Sequence, residues 1–182
     1  SPLQIKPFQA RENMVVIFGT VEPRKNIPFI IDLWPDVCRG LERPAKLIIA
    51  GKTGWGDVKI QENNYLQRIE RISDAERDAL LSKAKIVLVP SLHEGFGRVA
   101  LEAMAQGTPV IVSRVGAHAE IVEKAGLALD PQDKQAWVRG ISTMLFDHEQ
   151  WHALHMRGQE RARKFRWETV ARHILAGIRE NC

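Results

Sequence analysis

KIVLVPSLHEGFGRVALEAMAQGTPVIVS, residues 85–113, sets a strand, a glycine loop, a helix and a second strand in immediate succession. The apolar run 86–89 ends at Pro90, the pattern of a strand buried on both faces, as in a parallel sheet. After the loop 91–97, the segment 98–106 is rich in Ala, Leu, Met and Glu. It stops at Gly107 and gives way to the β-branched run 110–112 behind Pro109. The loop therefore ends in a helix N-terminus whose first amides, around Phe96, Gly97 and Arg98, lack intrahelical partners. Gly95 and Gly97 let another group approach that backbone closely, which suits a phosphate.

Two carboxylates flank this anion site. Glu94 precedes the loop, and Glu102 stands roughly 6 Å up the helix axis from Arg98 at about 1.5 Å per residue. Ionised carboxylates accept hydrogen bonds and repel phosphate, so they fit a ligand whose neutral, hydroxyl-rich parts lie on either side of an anion. A nucleotide sugar has that layout. The residues leave a plainer reading open, in which Glu94 is a solvated loop residue and Glu102 an i,i+4 partner of Arg98.

Working outward, residues 14–18 form another continuous apolar run, ending in Gly19-Thr20 before the charged turn Glu22-Pro23-Arg24-Lys25-Asn26. A helix follows, with Pro28 in its opening turn and apolar spacing up to Gly40. Arg24 and Lys25 thus sit at a helix entrance, where the dipole favours anions, so they are aimed at a bound anion unless the turn is merely solvated. Residues 46–50 read as the second strand, 58–66 as a helix, 69–72 as a short third strand and 74–83 as a helix capped by Ser73. Beyond Ser113 come a short helix carrying Glu120, a small strand at 127–129, amphipathic helices at 136–146 and 150–163, and a last helix in FRWETVARHILAGIRE. Strands alternating with helices predict a Rossmann-like, doubly wound α/β domain: a parallel sheet of about six strands with helices on both faces, plus C-terminal helices, and ligands beyond the carboxyl ends of its strands.

Composition narrows the functional classes. The 182 residues are 45% hydrophobic, enough for one domain with a proper core, and 26 Lys and Arg against 22 Asp and Glu leave a net charge of +4. That balance suits a phosphate ligand and lacks the dense basic stripe of a nucleic-acid binder. Cys38 and Cys182 make no metal or disulfide spacing, and no apolar run is long enough for a membrane span, so a cytoplasmic location is expected. The opening SPLQIKPF reads as a linker into the first strand, as in a piece of something longer. KTGWGD has neither the Walker nor the dinucleotide glycine spacing. His148, His152 and His155 share helical spacing but no acid or thiol completes a metal set with them. His93 and His118 lie in ligand-edge loops, each with a structural or a functional reading. Arg157, Arg161, Arg163, Lys164 and Arg166 read as a solvated helix face, with an anionic lipid surface as the alternative.

GTVEPRKN after the first strand, the E-x7-E of EGFGRVALE, and QGTPVIVSRVGAHAEIV followed by LALDPQD together resemble the C-terminal, donor-binding half of a retaining group 1 (family 4) glycosyltransferase. Such enzymes have the two-Rossmann-domain GT-B fold. The resemblance spans nearly the whole chain. It implies that residues 1–182 form a single nucleotide-sugar-binding domain and that an N-terminal domain outside the chain carries the acceptor site. By that likeness Glu94 holds hydroxyls of the transferred sugar, the backbone of Gly95, Phe96, Gly97, Arg98 and Val99 meets the sugar and diphosphate, and Glu102 accepts from the ribose. Lys25 with Arg24 holds the diphosphate beside Gly19 and Thr20, while Arg71 and Ile72 lie where relatives place the base. Lys25, Arg24 and Glu94 are the residues implied in catalysis.

The resemblance implies no cofactor and no metal. The donor is a nucleoside-diphosphate sugar, GDP-mannose favoured and a UDP-sugar as the alternative, and the acceptor is a saccharide or lipid-linked molecule. It admits peripheral membrane contact of a full-length enzyme. Two departures stand out: Thr20 replaces an Arg that many relatives place after the glycine, and Ala119 replaces a proline before the glutamate matching Glu120. An epimerase or phosphorylase of the same architecture and a non-catalytic binding module remain as rivals. A glycoside hydrolase would have no use for Lys25 or a phosphate-ready helix end.

Overall fold

In the computed structural model, which describes residues 6–39, 41 and 43–165, six strands form one parallel sheet. They are β1 (Glu12–Phe18), β2 (Lys46–Ala50), β3 (Leu66–Ile69), β4 (Ala84–Val89), β5 (Val110–Ser113) and β6 (Leu127–Leu129), in the order β3-β2-β1-β4-β5-β6. Among the described residues six α-helices connect or follow them: α1 (Ile27–Arg39), α2 (Asp74–Lys83), α3 (Arg98–Ala105), α4 (His118–Val122), α5 (Lys134–Phe146) and α6 (His148–Arg163).

Because side chains alternate along a strand, the unbroken apolar runs feed two cores at once. Val15, Ile17, Leu47, Ile49, Ile86 and Leu88 point to one face, where Ile30, Leu33 and Trp34 of α1 and Trp137, Ile141 and Met144 of α5 cover them. Val16, Phe18, Ile48, Val87 and Val112 point to the other, under Leu81 of α2, Ala103 and Met104 of α3 and Ile121 of α4. The doubly wound α/β expectation is thus met.

The third strand lies earlier than expected. Residues 66–69 pair with β2, from Leu47 opposite Leu66 to Ala50 opposite Ile69, and the strand stops there. The helix expected at 58–66 is absent. Val58 and Ile60 are two residues apart and both pack on the core, a period that suits extended chain. Asn63 then accepts the Tyr65 and Leu66 amides on its side-chain oxygen, closing a turn that competes with helix. α2 begins as read, with a reciprocal capping box between Ser73 and Glu76.

Residues 1–5 of the expected linker lie outside the described residues, and Phe8 at its end packs on the domain. Phe8 sits edge-on to Trp151 at 5.5 Å between centroids, with the Lys85 ammonium 3.9 Å from its ring centre. The expected last helix, with His173 and Cys182, lies outside the described residues. No described helix is long and apolar enough to cross a membrane.

The strand order reverses between β1 and β4. From β1 the chain winds outward to β3, then returns to place β4 on the other side of β1. At such a switch point the loops after the two central strands diverge and leave a crevice. Here those loops are the turn 19–26 and the glycine loop 90–97.

Candidate functional site

The two loops meet directly across this crevice. The Leu92 amide donates to the Arg24 carbonyl at 2.8 Å, and Arg24 Nη1 donates to the His93 carbonyl at 3.0 Å. Lys25 Nζ lies 2.7 Å from Glu94 Oε2, its stem folded over Gly19. Arg24 is 3.6 Å from the same oxygen, and Ser91 Oγ donates to it at 3.3 Å. Burial pushes the Glu94 carboxyl up. The hydrogen bond and charge of Lys25, with Arg24 and Ser91, outweigh that and hold it below the usual carboxylate range. Glu94 is therefore not the solvated loop residue of the plainer reading.

Arg24 is engaged more tightly elsewhere: its Nε and Nη2 donate to Glu22 Oε1 at 2.9 and 2.6 Å. Glu22 is buried, and most of the Arg24 charge is offset within its own turn. Lys25 is thus the less committed cation of the pair. Thr20 is exposed, its methyl resting against Gly54 of the loop after β2.

α3 starts at Arg98 with Gly97 as its cap residue, at φ 79°, where no capping side chain covers the first amides. Gly97 is buried, Gly95 and Phe96 are exposed, and Val99 is half-buried. The loop after β5 closes from the far side. A Cβ on Gly116 (φ 51°) would stand 2.1 Å from the Glu94 carbonyl oxygen, so only glycine allows that approach.

Glu102 belongs to a second group of charges. It is bridged by Arg77 of α2 and by Arg98 one turn before it, at 3.5 Å. The i,i+4 partnership is present, but Arg77 supplies the closer contact, and its guanidinium lies 5.5 Å from the centre of the Phe18 ring at the end of β1. Arg77 is absent from the sequence-derived site. It sits within an exposed-looking polar helix, and only the packing of α2 beside α3 brings it to Glu102.

Along the sheet edge toward β3 an open cleft of about 610 Å³ is lined by Gly51, Lys52, Thr53, Glu70, Arg71 and Ile72. Smaller hollows, of about 260 and 210 Å³, lie at Arg24, His93, Glu94 and Gly116 and at Glu94, Phe96, Gly97, Arg98 and Val99. Arg71 and Ile72, Arg24 and Glu94, and Gly95, Phe96, Gly97, Arg98 and Val99 thus line concave surface at one sheet edge, whereas Gly19, Thr20, Lys25 and Glu102 line none of these three hollows. The largest hollow is the one farthest from Glu94 along the strand order.

The histidines divide sharply. His155 stacks on Trp151, donates from Nδ1 to the Gly107 carbonyl at 2.5 Å, and accepts from Gln159 at 2.9 Å. Both its nitrogens are occupied, so His148, His152 and His155 do not form a ligand set, and among the described residues no group of three His, Cys, Asp or Glu could hold a metal. Arg161 of the basic run is no solvated side chain. It donates to the Ile121 and Glu120 carbonyls and pairs with Glu123, pinning α6 to α4. His118 is buried, with only Nδ1 engaged, to the Ser113 carbonyl at 2.9 Å.

Residues 3–164 match the family model described as glycosyl transferases group 1. The chain is 31% identical over 181 residues to the O-antigen chain mannosyltransferase B of Escherichia coli, covering 96% of this chain and 48% of that protein. Among solved structures it resembles Anabaena Alr3699/HepE in complex with UDP-glucose, with a TM-score of 0.78, 22% identity, and 93% of this chain and 49% of that one covered. It also resembles the C-terminal domain of a glycosyl transferase group 1 family protein (LpcC) from Francisella tularensis, with a TM-score of 0.74, 21% identity, and 84% and 85% covered. The chain spans about half the length of the full-length relatives.

Proposed function

This chain belongs to the group 1 glycosyl transferases, and from that premise we propose that it is the donor-binding domain of a retaining hexosyltransferase that uses a nucleoside-diphosphate sugar. The observation that carries the reading is the Lys25–Glu94 pair, a cation from the loop after β1 joined at 2.7 Å to a carboxylate from the loop after β4, beside the open N-terminus of α3. A diphosphate entering this crevice competes with Glu94 for Lys25. Once released, Glu94 is an acceptor for sugar hydroxyls, so one side-chain exchange prepares both subsites.

In the reaction the bond between the anomeric carbon and the distal phosphate oxygen breaks, and the acceptor oxygen bonds to that carbon on the same face. The acceptor proton passes to the departing phosphate. Negative charge collects on the diphosphate, where Lys25 and the first α3 amides stabilise it as it develops. Glu102, fixed by Arg77, accepts from the ribose, and the base lies in the cleft at Arg71 and Ile72. The acceptor, a saccharide or lipid-linked molecule, is chosen by the remainder of a longer protein, which agrees with the half-length coverage of the relatives.

Mannose from GDP-mannose is the favoured donor, because the E. coli relative is a mannosyltransferase; the UDP-glucose bound by HepE makes UDP-sugars the alternative. Calorimetric titration with GDP, UDP and ADP and their sugars tests the reading. Binding of one series in the micromolar range is expected. No binding of any at millimolar concentration sinks it.

A further inference from the structure

Where the loop after β5 touches the N-terminus of α3, a buried imidazole is left half satisfied. His118 donates from Nδ1 to the Ser113 carbonyl at 2.9 Å, which fixes both the ring orientation and the neutral tautomer. Nε2 then carries a lone pair, is sealed from water, and has no partner among the described residues. The hydroxyl of Ser113, equally buried, has none either. The ring edge packs on the backbone where α3 begins: a Cβ on Gly97 would lie 2.8 Å from Cδ2 and 3.3 Å from Nε2. An unmatched acceptor beneath the uncapped end of a helix is an unfavourable place for a lone pair and a favourable one for an N–H facing an anion.

We propose that His118 is a further donor-site residue, which takes a proton from solvent onto Nε2 when the diphosphate of a sugar nucleotide settles at the N-terminus of α3, and so presents an imidazolium to the leaving group. This rests on the donor-binding reading above. The charged groups acting on the ring are Glu94 from the loop after β4 and Lys25 from the loop after β1. Without ligand, burial lowers the ring below its ordinary pKa of 6.5, and Lys25 works in the same direction while Glu94 and the Ser113 carbonyl oppose them. A bound diphosphate reverses the balance by adding negative charge and drawing Lys25 onto itself. In the ligand-free chain Lys25 holds Glu94 below the usual carboxylate range, so the His118 variants decide which of the two groups takes up the proton.

The test is calorimetry of the 182-residue chain with GDP-mannose and UDP-glucose, whose diphosphate diesters do not themselves titrate near neutral pH. Each titration is run at pH 7.5 in phosphate and in Tris, which differ in ionisation enthalpy. Proton uptake approaching one per sugar nucleotide bound is expected, with affinity falling up to tenfold per pH unit above pH 7. His118→Asn keeps a donor for the Ser113 carbonyl and removes Nε2, so uptake and pH dependence should vanish together. His118→Gln, which restores a neutral donor near the Nε2 position, should regain affinity without uptake. Binding with no proton uptake, or uptake that persists in either variant, overturns the role of His118 and leaves the donor-binding reading intact. Failure of GDP-, UDP- and ADP-sugars alike to bind removes that reading and this inference with it.

Discussion

The two ends of the sheet carry the same kinds of side chain and treat them in opposite ways. At the amino ends of the strands, Arg11 donates to the carbonyls of Lys6, Leu81, Ala84, Gln106 and Gly107 and to the Thr108 hydroxyl, and stacks 5.2 Å from the centre of the Trp151 ring. Every partner is a backbone or hydroxyl oxygen, and two of the carbonyls are shared with a second donor, Leu81 with the Thr108 hydroxyl and Gly107 with His155. Burial lowers its pKa to about 10, which still leaves it charged at neutral pH. At the carboxyl ends, Lys25 and Arg24 share acids with each other, His118 keeps a free nitrogen, and the first amides of α3 are uncapped. A cation surrounded by saturated oxygens ties strands together. A cation paired with an exchangeable carboxylate is available to a ligand.

That contrast is most easily broken at Arg11. Arg11→Met should destabilise the fold by roughly 3 kcal/mol or more, because several buried acceptors lose their donor at once, with nucleotide affinity of the folded protein unchanged. Urea denaturation beside calorimetry checks both halves. Equal losses of stability and affinity would erase the distinction between the two ends.

Lys25→Ala should do the reverse. Loss of one charge-assisted hydrogen bond, about 2 kcal/mol, predicts a 10- to 100-fold weaker affinity for GDP or UDP, while stability falls by about 1 kcal/mol because one part-buried hydrogen bond at the crevice is lost. Glu102→Gln comes next, at about 1 kcal/mol or roughly five-fold in nucleotide affinity. Unchanged nucleotide affinity in both variants would remove Lys25 and Glu102 from the donor site.

The smallest effect is in the acid limb of stability. Glu94 has a folded pKa below its ordinary 4.5, so the contribution of its pair with Lys25 is present above that value and is lost as the pH falls through the lower folded one. Glu94→Gln should flatten the stability profile below pH 4.5 and, near neutrality, lower the stability without changing its slope. The same variant should blunt discrimination between sugar nucleotides more than it weakens binding of the bare diphosphate. A profile of unchanged slope would mean that the ion pair makes no net contribution to the fold.

Local pattern was enough for much of this molecule. Runs such as 86–89 and 110–112 announce strands buried on both faces, Ser73 announces a helix start, and Gly97 announces the backbone turn at the head of α3. Where local signals compete, local pattern does not decide the element. Residues 58–66 have helix-compatible composition, but Val58 and Ile60 need extended chain to reach the core, and the Asn63 turn closes the segment. Arg161 has the spacing of one more charge on a solvated face, yet Glu120 and Ile121 of α4 supply its acceptors.

The amino-acid sequence by itself determined the alternation of strand and helix, the switch-point loops and the residue types gathered there, because each depends on periodicity and turn chemistry within a few neighbours. Only the tertiary structure decided which charges answer one another. Glu94 pairs with a lysine 69 positions away, and Glu102 meets an arginine 25 positions away on another helix. His118 has one nitrogen bonded and, among the described residues, one without a partner. Partnerships of that kind arise when parallel strands bring distant loops to one edge, and no spacing along the chain encodes them.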